Sequence, residues 1–264
     1  MKNTKLFSLA KLLLLIAFTP FNSAQAEGHG FTYFSGMAHA LAVGEHVVTF
    51  VFVGILIILF GLIYRFKSSL VENAFIPDKG ITFKNITEAF GEFIYNLCRS
   101  TLGEKEAPRY FGMVSIIFLY IFLSNFIGLI PGFLPPTDNI NTTLALGLFV
   151  FVYYNYHGIR AQGLVGHLKH FCGPVWYLAF LMLPIELISH AVRPVSLGLR
   201  LRGNMFGDHL VLSIFSGLVP YVVPIIFMVL GLFVCFIQSF VFSLLSMVYI
   251  SLATATHDHE EHGH

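Results

Sequence analysis

Apolar residues fill this chain in long runs, and each run is closed by a short polar stretch. Val47 to Tyr64 carries no charge and approaches the ~20 residues a spanning helix needs. A first membrane helix is therefore expected over 46–66. Arg65 and Lys67 follow it, and Lys79, Lys84, Arg99, Lys105 and Arg109 continue the basic excess that marks a cytoplasmic segment. Inside that segment Phe83, Ile86, Phe90, Phe93, Ile94 and Leu97 recur at helical spacing, with Lys84, Glu88, Glu92 and Asn96 between them. The pattern predicts an amphipathic helix on the membrane surface over 80–105; the segment is too short to enclose a core of its own.

A helical hairpin is expected over 110–160. Tyr110 to Gly132 leads outward, and the turn "PGFLPPTDNINTT" holds one Asp and no Lys or Arg, as an external loop should. Thr143 to Tyr156 returns, and Arg160 and Lys169, with His157, His167 and His170 around them, mark a second cytoplasmic loop. Residues 171–256 then form one apolar tract broken near Pro220 and Pro224. Two helices of about 40 residues would each run about 60 Å, twice the hydrocarbon thickness. They must tilt steeply or lie nearly in the membrane plane, as a long helical hairpin. The alternative is that Pro184 or Pro194 breaks the first of them into separate pieces.

Composition agrees with this pattern. The 264 residues are 56% hydrophobic and 11% charged, less than half the charged share of a soluble domain. The fold class expected is an all-α polytopic membrane protein with about five membrane helices and one amphipathic surface helix. A net charge of +1 gives nucleic acid no footing, and the chain has neither a GxxxxGK[ST] loop nor an HExxH pair. No nucleotide, cofactor or metal is expected on the chain itself. Cys98, Cys172 and Cys235 are far apart in or beside apolar segments, as small packing residues are.

The two ends read differently from the middle. Lys2, Lys5 and Lys11, the short apolar run Leu12 to Phe18 and Ala24-Gln25-Ala26 fit a cleavable signal peptide over 1–26, with a retained anchor as the alternative. Cleavage would leave 27–264 as a single membrane domain with its mature amino terminus in the periplasm and its carboxyl terminus in the cytoplasm. The tail 257–264, "HDHEEHGH", is expected to be solvated, the alternative being a transition metal held by its imidazoles.

Candidate chemistry concentrates in the last apolar tract. Between Phe171 and Thr256 the only charges are Glu186, Arg193, Arg200, Arg202 and Asp208. Glu186, Arg193 and Arg200 are seven apart, so at 100° per residue each is displaced only about 20° from the last. Ser196 and Asn204 flank Arg200 at four residues either way, and Arg202 and His209 turn to the other side. Each intramembrane arginine costs roughly 2.5–3.5 kcal/mol on the insertion scale, which argues that they serve a purpose. Arg193 can pair with Glu186 as a structural ion pair, and Arg202 can reach a headgroup or a loop. Arg200, among small and amide residues, is the functional candidate.

Here the residues carry a resemblance. "PIELISHAVRPVSLGLRLRGNMFGDHL" and "FVCFIQSFVFSLLSMVYISLA" resemble subunit a of the rotary, F-type ATP synthase of bacteria, and "SNFIGLIPGFLPPTDNINTTLALGL" is similar to the central hairpin of that family. The likeness spans about residues 80 to 255. It implies a proton-translocating stator subunit in the bacterial inner membrane, non-catalytic toward ATP by itself, with two half-channels that face a rotating ring of c subunits. The other partners it implies are the stator b subunits, the catalytic head and the lipid bilayer. Arg200 matches the essential arginine facing the ring. Glu186 and Ser189 match polar residues of the cytoplasmic side, and His209 falls where the family has an acidic residue or histidine on the periplasmic path. Asn204 and Gln238 match the amides of the family.

Two positions depart from the pattern. Gly231 stands where the family often has His or Glu coupled to the residue at His209, so the path would rest on His209 with Asp208 or on water beside Gly231. Arg202 stands where the family is usually apolar. The alternative function is a self-contained ion-coupled secondary transporter with a midplane site, which would show repeated halves; no internal repeat is present.

Overall fold

The computed structural model describes residues 33–69, 82–130, 132–172, 179–218 and 222–254. The signal-peptide segment 1–26 and the tail 257–264 lie outside them. Among the described residues the chain is all α apart from one 3-10 turn: α1 Ser35–Leu41, α2 Glu45–Ser69, α3 Phe83–Leu102, α4 Ala107–Gly128, the turn Pro136–Asp138, α5 Ile140–Cys172, α6 Ala179–Leu218 and α7 Val222–Thr254. This is an all-α polytopic membrane protein. Glu45–Phe66, Ala107–Gly128 and Ile225–Thr254 are long and apolar enough to cross a bilayer by length and composition alone. The other two helices of the expected five, α5 and α6, fall short of that threshold because they carry the amides, histidines and charges from which the site is built.

One cluster of buried side chains joins five helices. Val53 of α2, Ile117 and Ile121 of α4, Val150 and Tyr154 of α5, Leu197 and Leu201 of α6 and Phe242 and Ile250 of α7 all belong to it. A second cluster seats α3: Ile94 and Cys98 pack against Ala107, Val114 and Phe118 of α4 and Met247 of α7. The stripe read from the sequence is divided, since Ile86 and Phe93 remain exposed while Ile94 and Cys98 are enclosed by protein. Burial pushes the Cys98 thiol up to about 11, as desolvation of a thiolate should.

One sequence expectation is changed by the structure, and the choice between another and its alternative is decided, each for a local reason. The segment read as a second cytoplasmic loop is helical through Cys172, and the chain turns inside α5 at Gly163, where φ is 76°. A residue with a Cβ is strained at that angle, so glycine supplies the kink. Pro184 and Pro194 do not break α6, which runs for 40 residues, about 60 Å, with both inside it. Neighbouring helices allow an intramembrane proline by enclosing the backbone it disrupts. α5 passes so close to Pro194 that a Cβ on Gly147 would strike the Pro194 carbonyl oxygen. One turn on, a Cβ on Gly198 would sit 2.9 Å from the Thr143 carbonyl oxygen. Small residues thus set the depth at which α6 lies against α5, two residues before Arg200.

α6 and α7 run antiparallel against each other. The Arg193 guanidinium lies 5.5 Å from the Tyr249 ring centre, Asn204 meets Gln238, and Phe215 packs on Phe227 at 5.0 Å. Each step along α6 is matched by a step back along α7, so one register holds from end to end.

Candidate functional site: an arginine between two polar clusters

Arg200 is exposed on α6, and among the described residues its guanidinium has neither a hydrogen bond nor an ion pair. Ser196, Gly203 and Asn204 share its side of the helix, and the apolar Val192, Leu199 and Phe206, 52%, 47% and 53% exposed, flank that side about 100° around. A permanent cation on such a surface has no internal counter-charge. One turn away, Asn204 Nδ2 donates to Gln238 Oε1 at 2.5 Å, with Gln238 buried. That bond uses the two amides the sequence singled out and ties α6 to α7 beside the arginine without introducing charge.

Fourteen residues back, about 21 Å along the helix, lies the Glu186 cluster. Glu186 Oε1 and Arg193 Nη2 are 3.6 Å apart, both partly exposed, and the other side of Arg193 faces the Tyr249 ring. Ser189 is exposed on the same stretch. His190, buried, turns toward α5: its Nε2 lies 2.8 Å from Asn155 Oδ1 and 3.4 Å from the Tyr154 hydroxyl. This contact was not legible from the sequence, because its partners lie more than thirty residues upstream, in a helix read only as an apolar span.

On the far side of Arg200, about 13 Å along α6, His209 and Asp208 line a small cavity with Gly128, Leu129, Met205, Leu212 and Phe227. Its volume of ≈ 10 Å³ is about the least that admits one water molecule. Asp208 Oδ2 is buried with no hydrogen-bond partner among the described residues. Gly231 of α7 faces this carboxylate: a Cβ there would stand 3.3 Å from Asp208 Oδ2 and 2.6 Å from Leu129 Cδ2. The atoms nearest that position belong to Leu129 and the Asp208 carboxylate. Asp208, named from the sequence only as a companion of His209, is the group that meets Gly231.

Arg202, unexplained by the resemblance, has a loop contact: its Nε donates to the Asp138 carbonyl at 3.1 Å. The structure thus brings Asn204 and Gln238 together and sets His209 with Asp208 in one cavity. It keeps Glu186 and Ser189 well apart from both.

Residues 46–251 match the family described as ATP synthase A chain. The chain belongs to that family. It is 44% identical over 224 residues to ATP synthase subunit a of Bdellovibrio bacteriovorus, covering 85% of this chain and 96% of that one. The subunit a of Sorangium cellulosum is 41% identical over 226 residues, 82% of this chain and 88% of its own. That of Campylobacter jejuni is 47% identical over 182 residues, 69% and 79% respectively. For a member of this family, the arrangement to explain is Arg200, with no hydrogen bond or ion pair among the described residues, and a separate polar cluster on either side of it along a single helix.

Proposed function

We propose that the chain is the proton-translocating stator subunit of an ATP synthase, holding Arg200 against a rotating ring of c subunits between two half-channels that do not meet. The observation that carries this reading is the exposed Arg200, without a counter-charge among the described residues, beside an exposed apolar strip of α6. A guanidinium keeps its charge at every accessible pH and cannot relay protons. A ring carboxylate about 4 Å from it would gain about 4 kcal/mol at an effective dielectric of 20, equivalent to about three pKa units. A protonated carboxyl reaching Arg200 would accordingly release its proton, and the same charge opposes direct passage of a proton from one polar cluster to the other.

The two clusters take the two paths. Asp208 and His209 form the periplasmic path, with a carboxylate and an imidazole beside a water-sized cavity; Glu186 and Ser189 form the cytoplasmic one. Asn204 and Gln238 orient the stretch between them. The subunit a names of the relatives support the remaining partners: the c ring, the stator b subunits and the catalytic head, where ATP chemistry resides. The basic segment after α2 and the amino-terminal signal pattern support a bacterial inner-membrane location with the mature amino terminus periplasmic and the carboxyl terminus cytoplasmic. A self-contained transporter loses ground because the intramembrane charges are gathered on one helix.

The test is Arg200→Ala in the whole complex reconstituted in vesicles. Assembly is expected to persist and proton-driven ATP synthesis to fall to background. Synthesis at the wild-type rate would overturn the reading.

A further inference from the structure

We propose that Arg202 is a positioning residue that latches the loop between α4 and α5 onto α6 and so fixes one wall of the cavity beside Asp208 and His209. The proposal rests on the reading of that cavity as a proton path. Arg202 follows Arg200 by two residues, which turns it about 200° around the helix, away from the outward face and toward the loop. Its Nε donates to the Asp138 carbonyl at 3.1 Å, at the end of the 3-10 turn that leads into α5. The neighbouring Thr137 donates through Oγ1 to Asn125 Oδ1 of α4 at 2.6 Å, both side chains buried. The loop is held on one side by α4 and on the other by Arg202.

What the latch holds is the cavity wall. Arg202, Met205 and His209 stand at i, i+3 and i+7, one face of α6. A Cβ on Gly128 would lie 2.7 Å from Met205 Cε and 2.8 Å from Pro135 Cβ, so the end of α4, the loop and α6 meet there without spare room. Gly128 and Met205 both line the cavity. Releasing the Asp138 carbonyl frees Pro135 to withdraw from Gly128 and loosens the wall around the titratable pair. No carboxylate among the described residues forms an ion pair with Arg202. The hydrogen bond, and not the charge, is what the latch uses.

That distinction sets the experiment. In glutamine, Nε2 stands as many bonds from Cα as the Nε of arginine does, so Arg202→Gln keeps the donor and removes the charge, whereas Arg202→Met has similar length and no donor. ATP synthesis by the reconstituted complex is measured against the pH on the proton-uptake side. Arg202→Met is expected to raise the proton concentration for half-maximal synthesis about 3- to 10-fold, the worth of one hydrogen bond, with the rate at saturating acid little changed. Arg202→Gln is expected to restore the wild-type profile. A wild-type profile for Arg202→Met, or a shift as large in Arg202→Gln, would overturn the latch. If Arg202→Met does not assemble, Arg202→Gln decides alone: a wild-type profile upholds the latch and a shifted one overturns it. Arg200→Ala in the same vesicles separates the two ideas, because synthesis that survives it defeats the proton-path reading itself, while its loss beside an unaltered Arg202→Met defeats only the latch.

Discussion

The two polar ends of α6 are built on opposite terms. At the Glu186 end the charges are matched: Glu186 has Arg193 at 3.6 Å, and Arg193 has the Tyr249 ring behind it. At the Asp208 end a buried carboxylate oxygen has no hydrogen-bond partner among the described residues and lies beside a water-sized cavity. An ion pair stabilises by staying ionised, whereas an unsatisfied carboxylate is a cost that stability alone does not explain. On the proposed function, the difference would place proton exchange at the Asp208 end and give the Glu186 end a mixed structural and conducting part.

The largest effect expected of that contrast comes from removing titration at the Asp208 end. Asp208→Asn is isosteric and His209→Gln keeps most of the volume of the imidazole, and each removes the proton chemistry of its side chain. Each is expected to slow proton-driven ATP synthesis by on the order of 10-fold or more, within the range of a lost acid–base group, and the double variant should abolish it. Full activity in the double variant would move the path elsewhere.

A smaller effect is expected at the other end. Arg193→Gln leaves Glu186 without its partner, but the two side chains are 26% and 36% exposed, so the loss of stability should be about 1 kcal/mol or less. Adding Glu186→Gln should restore assembly, read as subunit a recovered with the complex, without restoring the rate of synthesis. Restoration of both would leave Glu186 a purely structural role.

The extent to which these ends were legible in the sequence follows from the range of the interactions. The sevenfold spacing of Glu186, Arg193 and Arg200 is local, so the shared face and the Glu186–Arg193 pair could be read directly. The length of α6 was also readable, whereas the close approach of α5 to Pro194 at Gly147 was not, because it depends on a separate helix. Asn204 and Gln238 were singled out through the family resemblance, and their hydrogen bond required the hairpin register. His190 with Asn155, Arg202 with Asp138 and Asp208 with Gly231 each join separate elements. Nothing in a single sequence marks such pairs.

The central claim is that the two polar ends of α6 open to opposite sides of the membrane and are kept apart at Arg200. It is tested most directly by labelling single cysteines, placed in turn at Ser189 and Leu212 in a complex freed of its native cysteines, with a small membrane-impermeant thiol reagent added to one side at a time. The account predicts that Cys at position 189 reacts only from the cytoplasmic side and Cys at position 212 only from the periplasmic side. Reaction of both from the same side would contradict it.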